Sequence, residues 1–312
     1  MIALRKRGLY VILVLNYSAP NDLLNQVDQV SAQCATDFNP LPDRDHAIDF
    51  WTQLASEYKT YPNVLFELFD NPYIDEWRYF KGTKADAWKA LRDGIAIDSY
   101  KPLWPTKKRH TWQSVGMQEI LNEIRHTGAR NIILQCGLPG RDLDLWLTYK
   151  SIDPINQTAA AWHAFPSEGS KWGDECYSHP SWCDDRAYSF ANNILSQGYP
   201  VVVTQFADSS ADGTTGAPFA STLLQKLDAM GISYLAWMFK PDNEKFATLI
   251  KEKSGTPTDG YGEYVKAHYA CAAGLKNSCL TAMRQSQSSS RSAGQESSQP
   301  NVRGWIPSTS PI

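Results

Sequence analysis

A chain of 312 residues with 42% hydrophobic content is long enough to bury one sizeable core. Its 30 basic and 33 acidic residues leave a formal net charge of −3, which argues against nucleic acid or an acidic membrane surface as partner. No segment reaches the length of a membrane span.

The chain opens with Arg5, Lys6 and Arg7 ahead of the apolar run Leu9–Leu15. This imitates a short signal peptide, but no small-residue cleavage site follows. A strand is the preferred reading, because LYVILVL is the continuous apolar run of a buried parallel strand and Gly8 stops a preceding helix. Next, Asp45–Lys59 places Ile48, Trp51, Leu54, Ala55 and Tyr58 on one helical face, and the strand Asn63–Phe69 follows directly. A long Trp-containing insertion separates it from a helix carrying Met117, Ile120, Leu121 and Ile124, which ends at Gly128. The strand Asn131–Cys136 comes next, then the run Ala159–Phe165. A helix with Ala187, Phe190, Ala191, Ile194 and Leu195 inward stops at Gly198 before the strand Pro200–Phe206. In the last unit Leu223, Leu224, Leu227 and Met230 share a helical face, Gly231 is the stop and Ile232–Phe239 is the strand.

Six strand runs with helices between them predict a parallel α/β sheet, either open and doubly wound or a (β/α) barrel. The barrel is favoured. No glycine-rich phosphate loop follows the first strand, and polar and aromatic residues cluster just after strand ends. Residues 1–283 are read as one barrel domain and 284–312, rich in Ser, Gln and Pro, as a disordered tail.

Of six cysteines, Cys176 with Cys183 and Cys271 with Cys279 fit two short-loop disulfides of an oxidising compartment; buried, reduced thiols are the other reading. Cys34 and Cys136 stand alone, and Cys136 reads as a packed strand residue. No CxxC or HExxH spacing occurs, so neither metal nor cofactor is expected. Eleven Trp and fifteen Tyr supply faces for sugar rings, although most aromatics fill core. The triplet Asn156–Thr158 accepts N-glycosylation if the chain is secreted by a glycosylating host.

The phrases at the strand ends resemble those of glycoside hydrolase family 5, the cellulase-type retaining glycosidases, from Gly8 to about Pro241. The family's fourth strand ends in a phrase like F-E-L-x-N-E-P, whose second Glu is the general acid/base. Here the phrase is Phe66-Glu67-Leu68-Phe69-Asp70-Asn71-Pro72. The resemblance therefore puts Asn71 at the acid/base position and Asp70 where an Asn helps bind the sugar 2-hydroxyl. The seventh strand of the family reads like V-x-V-T-E-F-G, with Glu as nucleophile, and Val201–Ala207 puts Gln205 there. His163 matches a His-x-Tyr phrase whose Tyr is Phe165, Trp237 matches a sugar-platform Trp, and Asn16-Tyr17 stand where the family often has His. The implied fold is a (β/α)8-type barrel whose first two strands have no counterpart here. The implied partner is a β-glucan or mannan oligo- or polysaccharide, and the implied location is extracellular.

Retaining hydrolysis needs one carboxylate to attack the anomeric carbon and one carboxylic acid to protonate the leaving oxygen, about 5–5.5 Å apart. An amide does neither, yet it still hydrogen-bonds hydroxyls. Glu67 reads as a buried structural carboxylate. Asp70 is not expected to take over from Asn71, because adjacent strand residues point to opposite faces. Asp75, Glu76 and Asp208 read as solvated loop residues. His163 is either a site-wall histidine or a ligand contact, and Trp237 is the favoured stacking residue. Three functions remain open: a carbohydrate-binding pseudoenzyme, a glycosidase with relocated carboxylates, and a truncated product without a stable fold. A six-strand remnant would leave two unpaired edges to be covered by upstream sequence, a partner or the tail.

Overall fold

The computed structural model describes residues 2–16, 18, 40–72, 74, 80–100, 109–138, 142–165, 180–208, 218–241 and 248–275. The strands are β1 (Val11–Val14), β2 (Val64–Glu67), β3 (Ala96–Tyr100), β4 (Arg109–Gln113), β5 (Ile133–Cys136), β6 (Thr158–Ala164), β7 (Val201–Phe206) and β8 (Ser233–Ala236). The helices are α1 (Ile2–Lys6), α2 (Arg44–Tyr58), α3 (Lys84–Asp93), α4 (Met117–His126), α5 (Trp146–Tyr149), α6 (Pro180–Ser196), α7 (Pro218–Met230) and α8 (Tyr261–Ala272). All six strands expected from the apolar runs are present.

They form one parallel sheet in the order β1-β2-β5-β6-β7-β8. Chain order and spatial order coincide, so the sheet is wound in one direction. A doubly wound sheet reverses its order at a switch point, and none occurs here. The sheet curls into a partial barrel with helices outside, as the crossover rule requires. Burial grades across it. Every residue of β5 and β6 is buried, whereas β1 leaves Val14 36% exposed and β8 leaves Leu235 42% exposed. Among the described residues β1 and β8 each pair with one neighbour and form the edges.

The helical faces read from periodicity are largely the buried ones. Met117, Ile120, Leu121 and Ile124 of α4 are all buried, and so are Leu223, Leu224 and Leu227 of α7. In α6 the buried residues include Tyr188, which the periodic reading omitted. The glycine stops hold as well, since Gly8, Gly128, Gly198 and Gly231 all have φ between 67° and 83°, the left-handed region that ends helices. The insertion after β2 is not featureless: it contains α3, capped by the reciprocal Thr83–Asp86 box, and the antiparallel hairpin β3–β4. The hairpin's strands are short and polar and carry little apolar periodicity.

Trp51, Trp88 and Trp146 are fully buried, so much of the aromatic supply is core. Trp51 Nε1 donates to the Leu68 carbonyl at 3.1 Å and Trp146 Nε1 to the Gln135 carbonyl at 2.8 Å. Both indoles thereby tie structure outside the sheet to backbone at strand ends. Cys136 is a buried free thiol, as its strand position predicts. Cys34, Cys176, Cys183 and Cys279 lie outside the described residues, as do Tyr17, Asp75, Glu76 and the tail.

The chain divides into two compact units, Met1–Phe206 with Leu227–Ala236, and Ala207–Lys226 with Trp237–Ile312. The whole parallel sheet lies in the first. In the second, Tyr261 of α8 donates through its hydroxyl to the Trp237 carbonyl at 2.8 Å, and Ile250 bridges Pro257 in antiparallel fashion.

Candidate functional site

At the carboxyl ends of β2, β6 and β7 polar side chains are drawn together. Glu67, the last residue of β2, and His163 of β6 are both buried, and His163 Nε2 stands 3.1 Å from Glu67 Oε1. Thr204 of β7 donates its hydroxyl to the same oxygen at 3.0 Å. Gln205 Nε2 donates to Asp70 Oδ1 at 2.8 Å, and that oxygen lies 3.7 Å from His163 Nε2.

The local fold explains how successive residues reach one cluster. β6 and β7 pair Trp162 with Val203 and then His163 with Gln205, so Thr204 is an extra residue in the ladder. This bulge lets Thr204 and Gln205, which regular alternation would send to opposite faces, both meet the site. On the other side β2 ends at Glu67, and the following chain turns. Asp70 N donates to the Leu15 carbonyl at 2.8 Å, and Asn71 has φ 50°, a left-handed conformation that Asn tolerates better than most residues. Strand alternation therefore does not govern residues 70 and 71. The alternation on which Asp70 was not expected to take over from Asn71 is absent here, and its carboxylate is inside the cluster, with 13% of its side chain exposed.

The electrostatics follow from that crowding. Burial pushes the Asp70 carboxyl above its usual range, and the nearby Glu67 charge adds to this, while His163 and the Gln205 amide oppose it. Burial alone would lower His163, but the hydrogen bond and charge of Glu67, with the charge of Asp70, raise it. The Cys136 thiol, which donates to the Phe69 carbonyl at 3.0 Å, is pushed well up by burial and by the two carboxylates. It is a poor nucleophile.

Of the residues singled out from sequence, Asp70 contacts both His163 and Gln205, and Asn71 follows Asp70 in the same turn. Asn16 is exposed, two residues beyond the end of β1. Trp237 belongs to the second unit, where it is 36% exposed. Asp208, also there, is not a solvated loop residue: its Oδ2 accepts the backbone N–H of Ala220 in the first turn of α7 at 3.0 Å, and burial raises its carboxyl. Sequence reasoning missed Thr204. The signal was present in the adjacent polar pair Thr204-Gln205 at the end of an apolar strand, a pattern that a bulge explains.

A second charged group lies on the loop after β5. Gly137 allows a tight approach there, since a Cβ on it would meet the Asp142 carbonyl at 1.6 Å. Lys84 Nζ pairs with Asp142 and, at 2.7 Å, with Asp144. Burial holds Asp142 up at about 6 against the pull of Lys84. Among the described residues no cluster of His, Cys, Asp and Glu is gathered to hold a metal.

A singly wound parallel sheet whose polar cluster stands at the carboxyl ends of its strands defines a partial barrel of the enzyme type. The chain belongs to the cellulase family, glycosyl hydrolase family 5, whose model matches residues 2–243. Among solved structures it is similar to a β-glucanase of Saccharophagus degradans, at 18% identity and a TM-score of 0.52, over 81% of this chain and 65% of that one. It is also similar to an endo-β-1,4-glucanase of Xanthomonas axonopodis pv. citri, at 18% identity and a TM-score of 0.51, over 82% and 72%. The chain thus spans about two thirds of the length of these structures. Among curated protein sequences none matches it.

Proposed function

We propose that this chain is a carbohydrate-binding member of the family in which hydrolysis is silenced. The observation that carries the reading is the pair of amides at the matched positions. Gln205 stands for the nucleophile and Asn71 for the acid/base, and neither has a carboxylate to offer. The nearby Glu67 is already engaged by His163 and Thr204. What remains is a set of donors and acceptors suited to sugar hydroxyls: Asp70, Asn71, His163 and Gln205, joined in the sequence match by Asn16 and Tyr17. Trp237 is proposed as a stacking face.

A β-glucan is the favoured ligand over a mannan, because the S. degradans β-glucanase was solved with cellotetraose and a further similar structure, XacCel5A, with cellopentaose. An extracellular location is proposed on the family and the cysteine pattern. Calorimetric titration with cellotetraose and mannotetraose, beside an assay for reducing ends, tests the reading. Saturable binding of cellotetraose without product supports it, and absence of binding by the folded chain refutes it.

One observation favours a second reading. Asp70 is a partly exposed carboxyl held up by burial within the cluster, the state a general acid needs. If it serves as a relocated acid, the unmodified chain turns over aryl β-cellobiosides and Asp70→Asn abolishes that turnover.

A further inference from the structure

Compared with the family phrases, this chain has exchanged a carboxylate and an amide. The family places an amide before its acid/base residue and a carboxylate on the seventh strand, whereas here Asp70 carries the carboxylate and Gln205 the amide. The structure adds that these two side chains touch, Gln205 Nε2 donating to Asp70 Oδ1 at 2.8 Å. We propose that Asp70 is a positioning residue that locks residue 205 as an amide: its carboxylate fixes the Gln205 side chain and excludes a second carboxylate from that position.

The argument is one of donors and acceptors. An ionised Asp70 has no proton to give, so its partner at 2.8 Å must be a donor. The amide supplies one through Nε2 and keeps its own carbonyl oxygen free of that bond. A glutamate side chain in the same rotamer puts a carboxylate oxygen where Nε2 stands. Two carboxylates at that distance do not both ionise; they share a proton. A carboxyl at position 205 that shares that proton is a weaker nucleophile than a free carboxylate. Nor does Asp70 become its acid partner, because retaining hydrolysis separates the carboxyls by about 5–5.5 Å, roughly twice the contact here. The backbone at Asp70 is anchored independently of Gln205, by its N–H bond to the Leu15 carbonyl. The groups facing this pair are His163 and Glu67; His163 already shares its Nε2 with Glu67, 3.1 Å away against 3.7 Å to Asp70.

Restoring activity then takes more than two substitutions, on the reading that position 205 faces the sugar. Asn71→Glu with Gln205→Glu is not sufficient. Asp70→Asn must accompany them, so that the carboxyl introduced at position 205 regains a donor as neighbour and ionises. In the triple variant that carboxylate forms the bond to the anomeric carbon, the glycosidic C–O bond breaks, and the proton of the carboxyl introduced at position 71 passes to the leaving oxygen. Water then cleaves the glycosyl ester and returns that proton.

The first measurement is the protonation of residue 205, read by difference infrared spectroscopy over pH in Gln205→Glu with and without Asp70→Asn. The protonated-carboxyl band of Gln205→Glu is expected to persist at least about one pH unit higher when Asp70 is present. Titration at the same pH in both variants overturns the proposal. The second is hydrolysis of an aryl β-cellobioside, where the triple variant is expected to exceed the double variant by about 10²-fold in kcat at neutral pH. Equal, measurable turnover by the two also overturns it. A spectroscopic difference with no activity in the folded triple variant upholds the Asp70–205 coupling and refutes the sugar-facing reading instead. Should Gln205→Glu fail to fold, Gln205→Leu serves: with its donor gone, Asp70 is expected to titrate higher than in the unmodified chain by NMR. An unchanged Asp70 titration counts against the lock.

Discussion

Asp153 and Asp70 stand at opposite ends of the same parallel sheet and are served in opposite ways. Asp153, before β6, accepts two bonds from the Arg125 guanidinium, at 3.0 and 2.8 Å, and another from the Gln157 backbone at 2.9 Å. Arg125 in turn donates to the Ala129 and Asn131 carbonyls, both at 3.0 Å. The pair is almost entirely buried, and these bonds hold the Asp153 carboxyl below its usual range despite the burial. Asp70, beyond β2, has a shared histidine and one amide, and burial holds its carboxyl above the usual range. The amino end of the sheet thus stabilises its charge with matched partners, while the carboxyl end keeps a charge that the fold alone would not choose. That asymmetry is expected of a barrel, where the carboxyl ends of the strands hold the site and the other face holds the structure.

The comparison is broken most severely at the amino end. Arg125→Met leaves Asp153 buried with its main partner gone, and we expect a loss of about 3–5 kcal/mol in unfolding free energy by urea titration. Next comes the loop after β5, where Lys84→Met leaves Asp142 and Asp144 side by side without their ammonium, a loss of about 2–3 kcal/mol at pH 7. The pH sign there is fixed by Asp142. Its folded pKa of about 6 lies above the unfolded 3.8, so its contribution is fully present below about pH 4 and is lost as pH rises through 6. Asp142→Asn should flatten that part of the stability profile.

At the carboxyl end the effects are smaller and one changes sign. Asn71→Glu must place an ordinary side chain at φ 50° and is expected to cost about 1 kcal/mol, whereas Asn71→Gly should be close to neutral. Asp70→Asn removes a charge that burial disfavours, so stability at pH 7 should hold or rise by up to about 1 kcal/mol, since Asn still accepts from Gln205. The same change should lower the His163 pKa, because the Asp70 charge is one of the influences raising it; an NMR titration of the imidazole reads this. A loss of several kcal/mol in Asp70→Asn would contradict the contrast between the two ends.

The parts of the fold legible in the sequence were those with strong apolar patterning. The runs around β1, β2, β5, β6, β7 and β8 are dense enough in Val, Ile, Leu, Ala and Phe to stand out, and their alternation with helices such as α4 specifies a parallel sheet, whose single winding is seen in the strand order. The hairpin β3–β4 was not legible, because strands such as Arg109–Gln113 are polar and hold together through backbone pairing. At the site, the motif phrases that contain Asp70, Asn71, His163 and Gln205 lie at the carboxyl ends of β2, β6 and β7. They did not reveal the 2.8 Å bond between Asp70 and Gln205, because that contact depends on two departures from regular geometry. One is the bulge that adds Thr204 to β7, and the other is the turn that takes Asp70 off the pleat after β2.

The proposal of a sugar site without hydrolysis is tested most directly by calorimetric titration of the unmodified chain with cellotetraose, with reducing ends assayed in the same sample at the end. Saturable binding, weakened in Gln205→Leu and with no new reducing ends, is the predicted result. Steady release of shorter sugars that vanishes in Asp70→Asn would contradict it and make Asp70 a catalytic residue.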